Sequence, residues 1–155
     1  LVELLSSSDF DVQKEAAWAV SNATSGGSPQ QITHIAHSGC IPPLCRLLKT
    51  RDDKIVTVAL EGIDNILRTG QEQGHTQFTD LVEQCDGSTY IEELQETAPQ
   101  ETYNRAVQIL RNYFELEDDT EQFDGPSTNS GGNQFLFGNN NGHSYGGNYS
   151  FNGNQ

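Results

Sequence analysis

The sequence predicts an all-α solenoid, built from helical repeats of similar length and followed by a tail that does not fold. Three observations lead there. Aliphatic residues recur at helical spacing as far as about Glu117 and then almost stop. A block of paired leucines, polar turn and long helix occurs at residue 4 and again 43 residues later. Beyond 117 the chain is Asn, Gly, Ser and Gln with scattered aromatics, which cannot bury enough surface to offset its ordering entropy.

Leu1-Val2-Glu3-Leu4-Leu5 reads as a helix already under way with no cap before it, so a C-terminal fragment of a longer array is expected. A polar turn, Ser6 to Asp11, leads into a helix from about Val12 to Thr24. There Val12, Ala16, Ala19, Val20 and Ala23 recur at helical spacing and are expected to face the core. Gly26-Gly27 ends this helix in the manner of a C-cap, and Gly70 is expected to end the next long one. Ser28-Pro29 starts a short helix running to about His37. Gly39 separates it from a second, about Ile41 to Lys49, whose Pro42 and Pro43 sit in the first turn, where a missing N–H costs little. A third helix runs from about Asp53 to Arg68.

The copies align residue by residue. At an offset of 43, Leu4 matches Leu47, Val12 matches Ile55, Ala16 matches Ala59 and Asn22 matches Asn65. At a further offset of 47, Leu47 matches Leu94, Ala59 matches Ala106, Ile63 matches Leu110 and Asn65 matches Asn112. Periods of this length made only of helices indicate armadillo or HEAT repeats. A short first helix broken by Gly from the second favours armadillo. The expected organisation is a partial repeat over 1–27, a repeat over 28–70, a degenerate last repeat over 71–116, and an acidic then Asn/Gly-rich disordered tail over 117–155.

Composition narrows the function. With 22 acidic and 8 basic side chains the net charge is −14, which repels a phosphate backbone and attracts a basic partner. No apolar run reaches the roughly 18 residues needed to span a bilayer. Cys40, Cys45 and Cys85 form no CxxC pair and are odd in number, so neither a disulfide framework nor a zinc site is expected; Cys40 and Cys45 lie among apolar residues as small hydrophobes, and a reducing compartment fits. His34, His37 and Cys40 recur at threes, but a turn interrupted by Gly39 would hold a metal poorly. Asn22-Ala23-Thr24 and Asn148-Tyr149-Ser150 are formal glycosylation sequons, neither expected to be used. No set of residues is arranged for catalysis.

Trp18 and Asn22 carry the functional signal. Four residues apart on a helix, they stack on one face, off the expected core stripe, and Glu15 joins them one turn earlier. An Asn amide offers one donor group and one acceptor, the pairing that one residue of an extended peptide needs. An indole face attracts the stem and head of Lys or Arg, and Glu15 would complement the charge. The spacing alone leaves open a Trp18 that fills the core and an Asn22 that caps a neighbour.

The run Lys14-Glu15-Ala16-Ala17-Trp18-Ala19-Val20-Ser21-Asn22-Ala23-Thr24-Ser25-Gly26-Gly27 closely resembles a repeat near the C-terminus of importin alpha (karyopherin alpha), and Ser28-Pro29-Gln30-Gln31-Ile32 is similar to plant members. Gly39-Cys40-Ile41-Pro42-Pro43-Leu44-Cys45, Leu60-Glu61-Gly62-Ile63-Asp64-Asn65-Ile66-Leu67 and Ala106-Val107-Gln108-Ile109-Leu110 extend the likeness to about residue 119. The resemblance implies a right-handed superhelical solenoid, without cofactor or enzymatic activity, working in cytoplasm and nucleus. Its inner groove would hold basic nuclear localisation signals of cargo proteins between paired Trp and Asn residues. By position the chain would start in about the eighth repeat, placing Glu15, Trp18 and Asn22 in the minor site. The major site and the basic segment that binds importin beta would lie outside this chain. The last repeats of the family also meet an export receptor and nucleoporins. An armadillo scaffold outside nuclear transport is the alternative.

Departures from the pattern are visible too. Glu61 and Gln108 stand where Trp18 stands in the first copy, so the Trp/Asn ladder is expected to end after one rung. Segment 71–77 is shorter and more polar than the family pattern, and Asp86-Gly87-Ser88-Thr89-Tyr90 falls where relatives are more apolar. Phe135-Leu136-Phe137-Gly138 is a single FxFG-like motif; Tyr145, Tyr149 and Phe151 are spaced singly, a prion-like composition.

Overall fold

A computed structural model describes residues 1–114. The acidic run from Glu115 to Asp124, the tail expected over 117–155 with its FxFG-like motif and aromatics, and the second sequon lie outside the described residues. Leu1 to Leu5 do not form an α-helix; Val2–Ser6 is a 3-10 turn that buries only Leu5 and leaves Leu4 exposed. Seven α-helices follow among the described residues: α1 (Phe10–Gly26), α2 (Pro29–His37), α3 (Ile41–Leu47), α4 (Asp53–Gln73), α5 (Gln77–Gln84), α6 (Gly87–Thr97) and α7 (Gln100–Tyr113). The short–short–long order α2–α3–α4 recurs as α5–α6–α7, and the 3-10 turn and α1 match the end of one such unit.

Caps set the boundaries. Asp9 accepts from the Asp11 N–H before α1, and Asp52 accepts from the N–H groups of Lys54 and Ile55 before α4. Ser28 and Gln31 form a reciprocal capping box, with Pro29 at the first position of α2. Gly39, at φ +86°, turns the chain between α2 and α3 in a conformation that L side chains rarely adopt.

The long helices end differently from expectation. Gly26 is the last residue of α1, and Gly27 caps it in an extended conformation rather than a left-handed one. Gly70 caps nothing; it lies buried inside α4, which continues to Gln73 and ends at Gly74 with φ +74°. Gly70 is there for space. A Cβ on it would come 2.7 Å from Phe78 Cδ2 and 3.0 Å from the His75 carbonyl oxygen.

The core is one cluster running through every helix. Its middle is α4, which packs against α1, α2, α3, α5 and α7. On α1 the buried stripe is Ala16, Ala17, Val20, Ser21 and Thr24. Val12, Ala19 and Ala23 are only half-buried, so the stripe is rotated from the one expected. The two long helices meet backbone to backbone there: a Cβ on Gly62 of α4 would lie 4.0 Å from the Ser21 Cα, and four of the five buried α1 side chains, Ala16, Ala17, Ser21 and Thr24, are small. Buried Thr24 satisfies its hydroxyl by donating to the Ser21 carbonyl at 2.9 Å. Cys40 and Cys45 are free and buried, and burial pushes both thiols up to about 12.

Candidate peptide-binding surface

Turning Ala16, Ala17 and Val20 into the core leaves Glu15, Trp18 and Asn22 on the opposite face of α1. Trp18 remains 44% exposed, so it does not fill the core. Glu15 and Asn22 are exposed as well, and among the described residues none of the three side chains is held by a hydrogen bond or ion pair. An indole in water with an unengaged amide one turn on and a carboxylate one turn back is a surface with unspent binding capacity. Asn22 also borders an open cavity of about 690 Å³ that continues over Gly26, Gly27 and the α2 residues Gln31 and Ile35.

The corresponding positions on α4 are occupied differently. Glu61 stands in the register of Trp18, and its Oε1 is 3.1 Å from Nη2 of Arg105 on α7. Asn65, in the register of Asn22, donates from Nδ2 to Thr24 Oγ1 at 3.3 Å, and its oxygen accepts from Arg68. The second amide is therefore engaged inside the protein. On α7 the third copies, Gln108 and Asn112, are exposed.

Two further links join α4 to α7 on either side of the Glu61–Arg105 pair. Thr57 donates to the Asp53 carbonyl, so Thr102 must donate to Thr57 Oγ1, 2.9 Å away. The Tyr113 hydroxyl donates to Asp64 Oδ1 at 3.2 Å. Burial, and after it the Asp64 carboxylate, pushes the Tyr113 phenol up to about 12. This polar seam was not anticipated from the sequence. The 43- and 47-residue offsets contained its one detectable signal: they place Arg105 in the register of Glu15, a reversal of charge.

The weaker candidates resolve simply. His37 turns to Phe78, with ring centroids 5.3 Å apart, and its Nε2 lies 3.1 Å from Gln77 Nε2. Cys40 is buried, and among the described residues no group of three or more His, Cys, Asp or Glu side chains could hold a metal ion. Among those residues no helix is long and apolar enough to cross a membrane.

Comparison with known proteins agrees with this architecture. The armadillo/beta-catenin-like repeat model matches residues 1–25 and 28–68, and the atypical Arm repeat model matches 76–127. Importin subunit alpha-4 of Arabidopsis thaliana is 42% identical over 149 residues, 90% of this chain and 27% of that protein. Importin subunit alpha-5 of the same plant is 38% identical over 123 residues, 77% of this chain and 24% of its own length. Importin subunit alpha-1b of Oryza sativa is 40% identical over 145 residues, 90% of this chain. The chain thus spans about a quarter of the length of the curated relatives it matches. Among solved structures, the crystal structure of an engineered protein matches with a TM-score of 0.58 and 26% identity, covering 70% of this chain and 42% of that one.

Proposed function

Because the chain belongs to the armadillo-repeat family, as a plant-like homologue of the importin alpha subunits, we propose that it forms part of a nuclear-import adaptor and holds basic localisation signals on the exposed face of α1. One observation carries this reading: Trp18 stands in solvent with Asn22 and Glu15 beside it, all three free of internal partners among the described residues. The indole face would take the stem and charged head of a Lys or Arg, Asn22 would pair with one peptide residue's backbone, and Glu15 would balance the charge. The surplus of acidic side chains would speed the encounter. As in the family, the cargo would travel with importin beta between cytoplasm and nucleus, and the last repeats would meet an export receptor and nucleoporins. In this role the chain binds and performs no chemistry.

Calorimetry with a Lys/Arg-rich peptide tests the reading. Trp18→Ala should weaken binding by about 1–2 kcal/mol, the scale of a partly desolvated cation–π contact. Unchanged affinity would sink the assignment of this face. Binding of an acidic or helical partner in place of the basic peptide would assign the chain instead as an armadillo scaffold outside transport.

A further inference from the structure

We propose that Arg105 is an internal stand-in for a peptide cation, and that by occupying Glu61 it sets where a basic peptide stops along the repeats. The inference rests on the peptide-binding reading of α1 and specifies how far that site extends.

The register gives the first part of the argument. Glu15 on α1, Val58 on α4 and Arg105 on α7 occupy equivalent positions, as do Trp18, Glu61 and Gln108. The carboxylate beside the indole in the first unit is thus replaced by a cation in the third. A basic peptide that is attracted at Glu15 would be repelled if it ran on to α7.

Geometry gives the second part. Glu61 is the acidic side chain a peptide lysine would meet one repeat beyond Trp18, but its oxygen is already 3.1 Å from the Arg105 guanidinium. The pair is not sealed in the core: the Arg105 and Glu61 side chains keep 31% and 36% exposure, so a peptide cation could compete for the same carboxylate. Beside it, Arg68 holds the oxygen of Asn65, whose amide also donates to Thr24. A second cation and an already engaged amide therefore close the next rung. Thr57–Thr102 and Asp64–Tyr113 fasten α7 to α4 on both sides, which keeps Arg105 opposite Glu61.

Packed helices lie roughly 8–10 Å apart and an extended peptide advances about 3.3 Å per residue, so one repeat corresponds to about three peptide residues. A short basic core at Trp18 would not sense Arg105, whereas lysines placed beyond it would. The experiment uses the full 155-residue chain and two fluorescent peptides of equal length. Both contain the same tetralysine core; one is flanked by Gly/Ser stretches and the other by stretches with alternating lysines. Arg105→Ala should tighten the lysine-flanked peptide by about fivefold, the scale of one solvent-exposed charge contact, and the Gly/Ser-flanked peptide by less than about twofold. Adding Glu61→Gln to Arg105→Ala should remove the selective gain. Arg51→Ala, which removes the same charge from the turn before α4, should show no selectivity.

Equal tightening of both peptides, the same selectivity from Arg51→Ala, or no change from Arg105→Ala would each overturn the inference. Trp18→Ala keeps the two readings apart. If it weakens both peptides while Arg105→Ala selects neither, only the role of Arg105 fails. If it weakens neither, the peptide-binding face fails and this inference falls with it.

Discussion

Single residues in this chain are placed by size and position as much as by hydrophobicity. Gly70 shows it most sharply. The sequence offers a glycine near the end of an apolar stretch, a common signature of a helix stop, yet the helix passes through it and ends at Gly74. What Gly70 supplies is room for the ring of Phe78, which is fully buried. Gly70→Ala should therefore destabilise the fold by about 1–3 kcal/mol, because a better helix former is outweighed by overpacking. Urea unfolding followed by circular dichroism would measure it; a stabilised variant would show that Phe78 moves aside freely. Trp18 is the opposite case. Its size favours burial, and only its phase on α1, opposite Ala16, Ala17 and Val20, puts it in solvent.

At the scale of the element, helix starts were legible and helix faces less so. Ser28-Pro29 announces α2, and α4 begins at Asp53, where a helix was expected, with Asp52 as the cap that the structure adds. Such caps act through few atoms. Asp52 Oδ1 accepts from Lys54 N at 3.2 Å and Ile55 N at 3.3 Å, so Asp52→Ala should cost about 0.5–2 kcal/mol in thermal or chemical unfolding, while Asp52→Asn should cost much less. If both variants behaved alike, charge rather than capping would be the cause. The buried face of α1 was misjudged because Ser21 and Thr24 are polar by type and buried by smallness. A hydrophobic pattern cannot report a close helix approach that selects Ala, Ser and Gly. The exposed face was read correctly in kind, since Glu15, Trp18 and Asn22 stand together on it. What escaped notice was the α4–α7 seam, because its partners are 44 to 49 residues apart and no local spacing links Glu61 to Arg105 or Asp64 to Tyr113.

At the scale of the whole molecule, the helical spacing of aliphatic residues and the repeat period were enough to place the fold class. Family models matched over 1–25, 28–68 and 76–127 agree with the reading of a repeat array. Groups from different repeats also act together on stability. Cys40 and Cys45 have their thiols raised from 9.0 to about 12 by burial, and Tyr113 its phenol raised from 10.0 to about 12. Each is neutral when protonated, and each holds its proton more tightly folded than unfolded. Their contribution is present in full below the unfolded values and is lost as pH rises through the folded ones. Stability should accordingly fall from about pH 9 upward, as a denaturant midpoint measured at successive pH values would record. Replacing Cys40 and Cys45 by Ala should flatten the early part of that fall, whatever the variants do to the midpoint at neutral pH.

The partnership of α1 with α4 has a consequence for the order in which the chain is made. Synthesis runs from the N-terminus, so Ala16, Ala17 and Val20 leave the ribosome well before the helix that covers them, which begins only at Asp53. For that interval, among the described elements only the 3-10 turn and α2 pack against α1, and its contact with α4 is unmade. A stripe of Leu or Phe there would be a hazard to a nascent chain among its neighbours. Alanine, serine and threonine, with Val20 the one larger apolar side chain among them, leave little to stick to, and the contact that later needs smallness is the same one that must wait for α4.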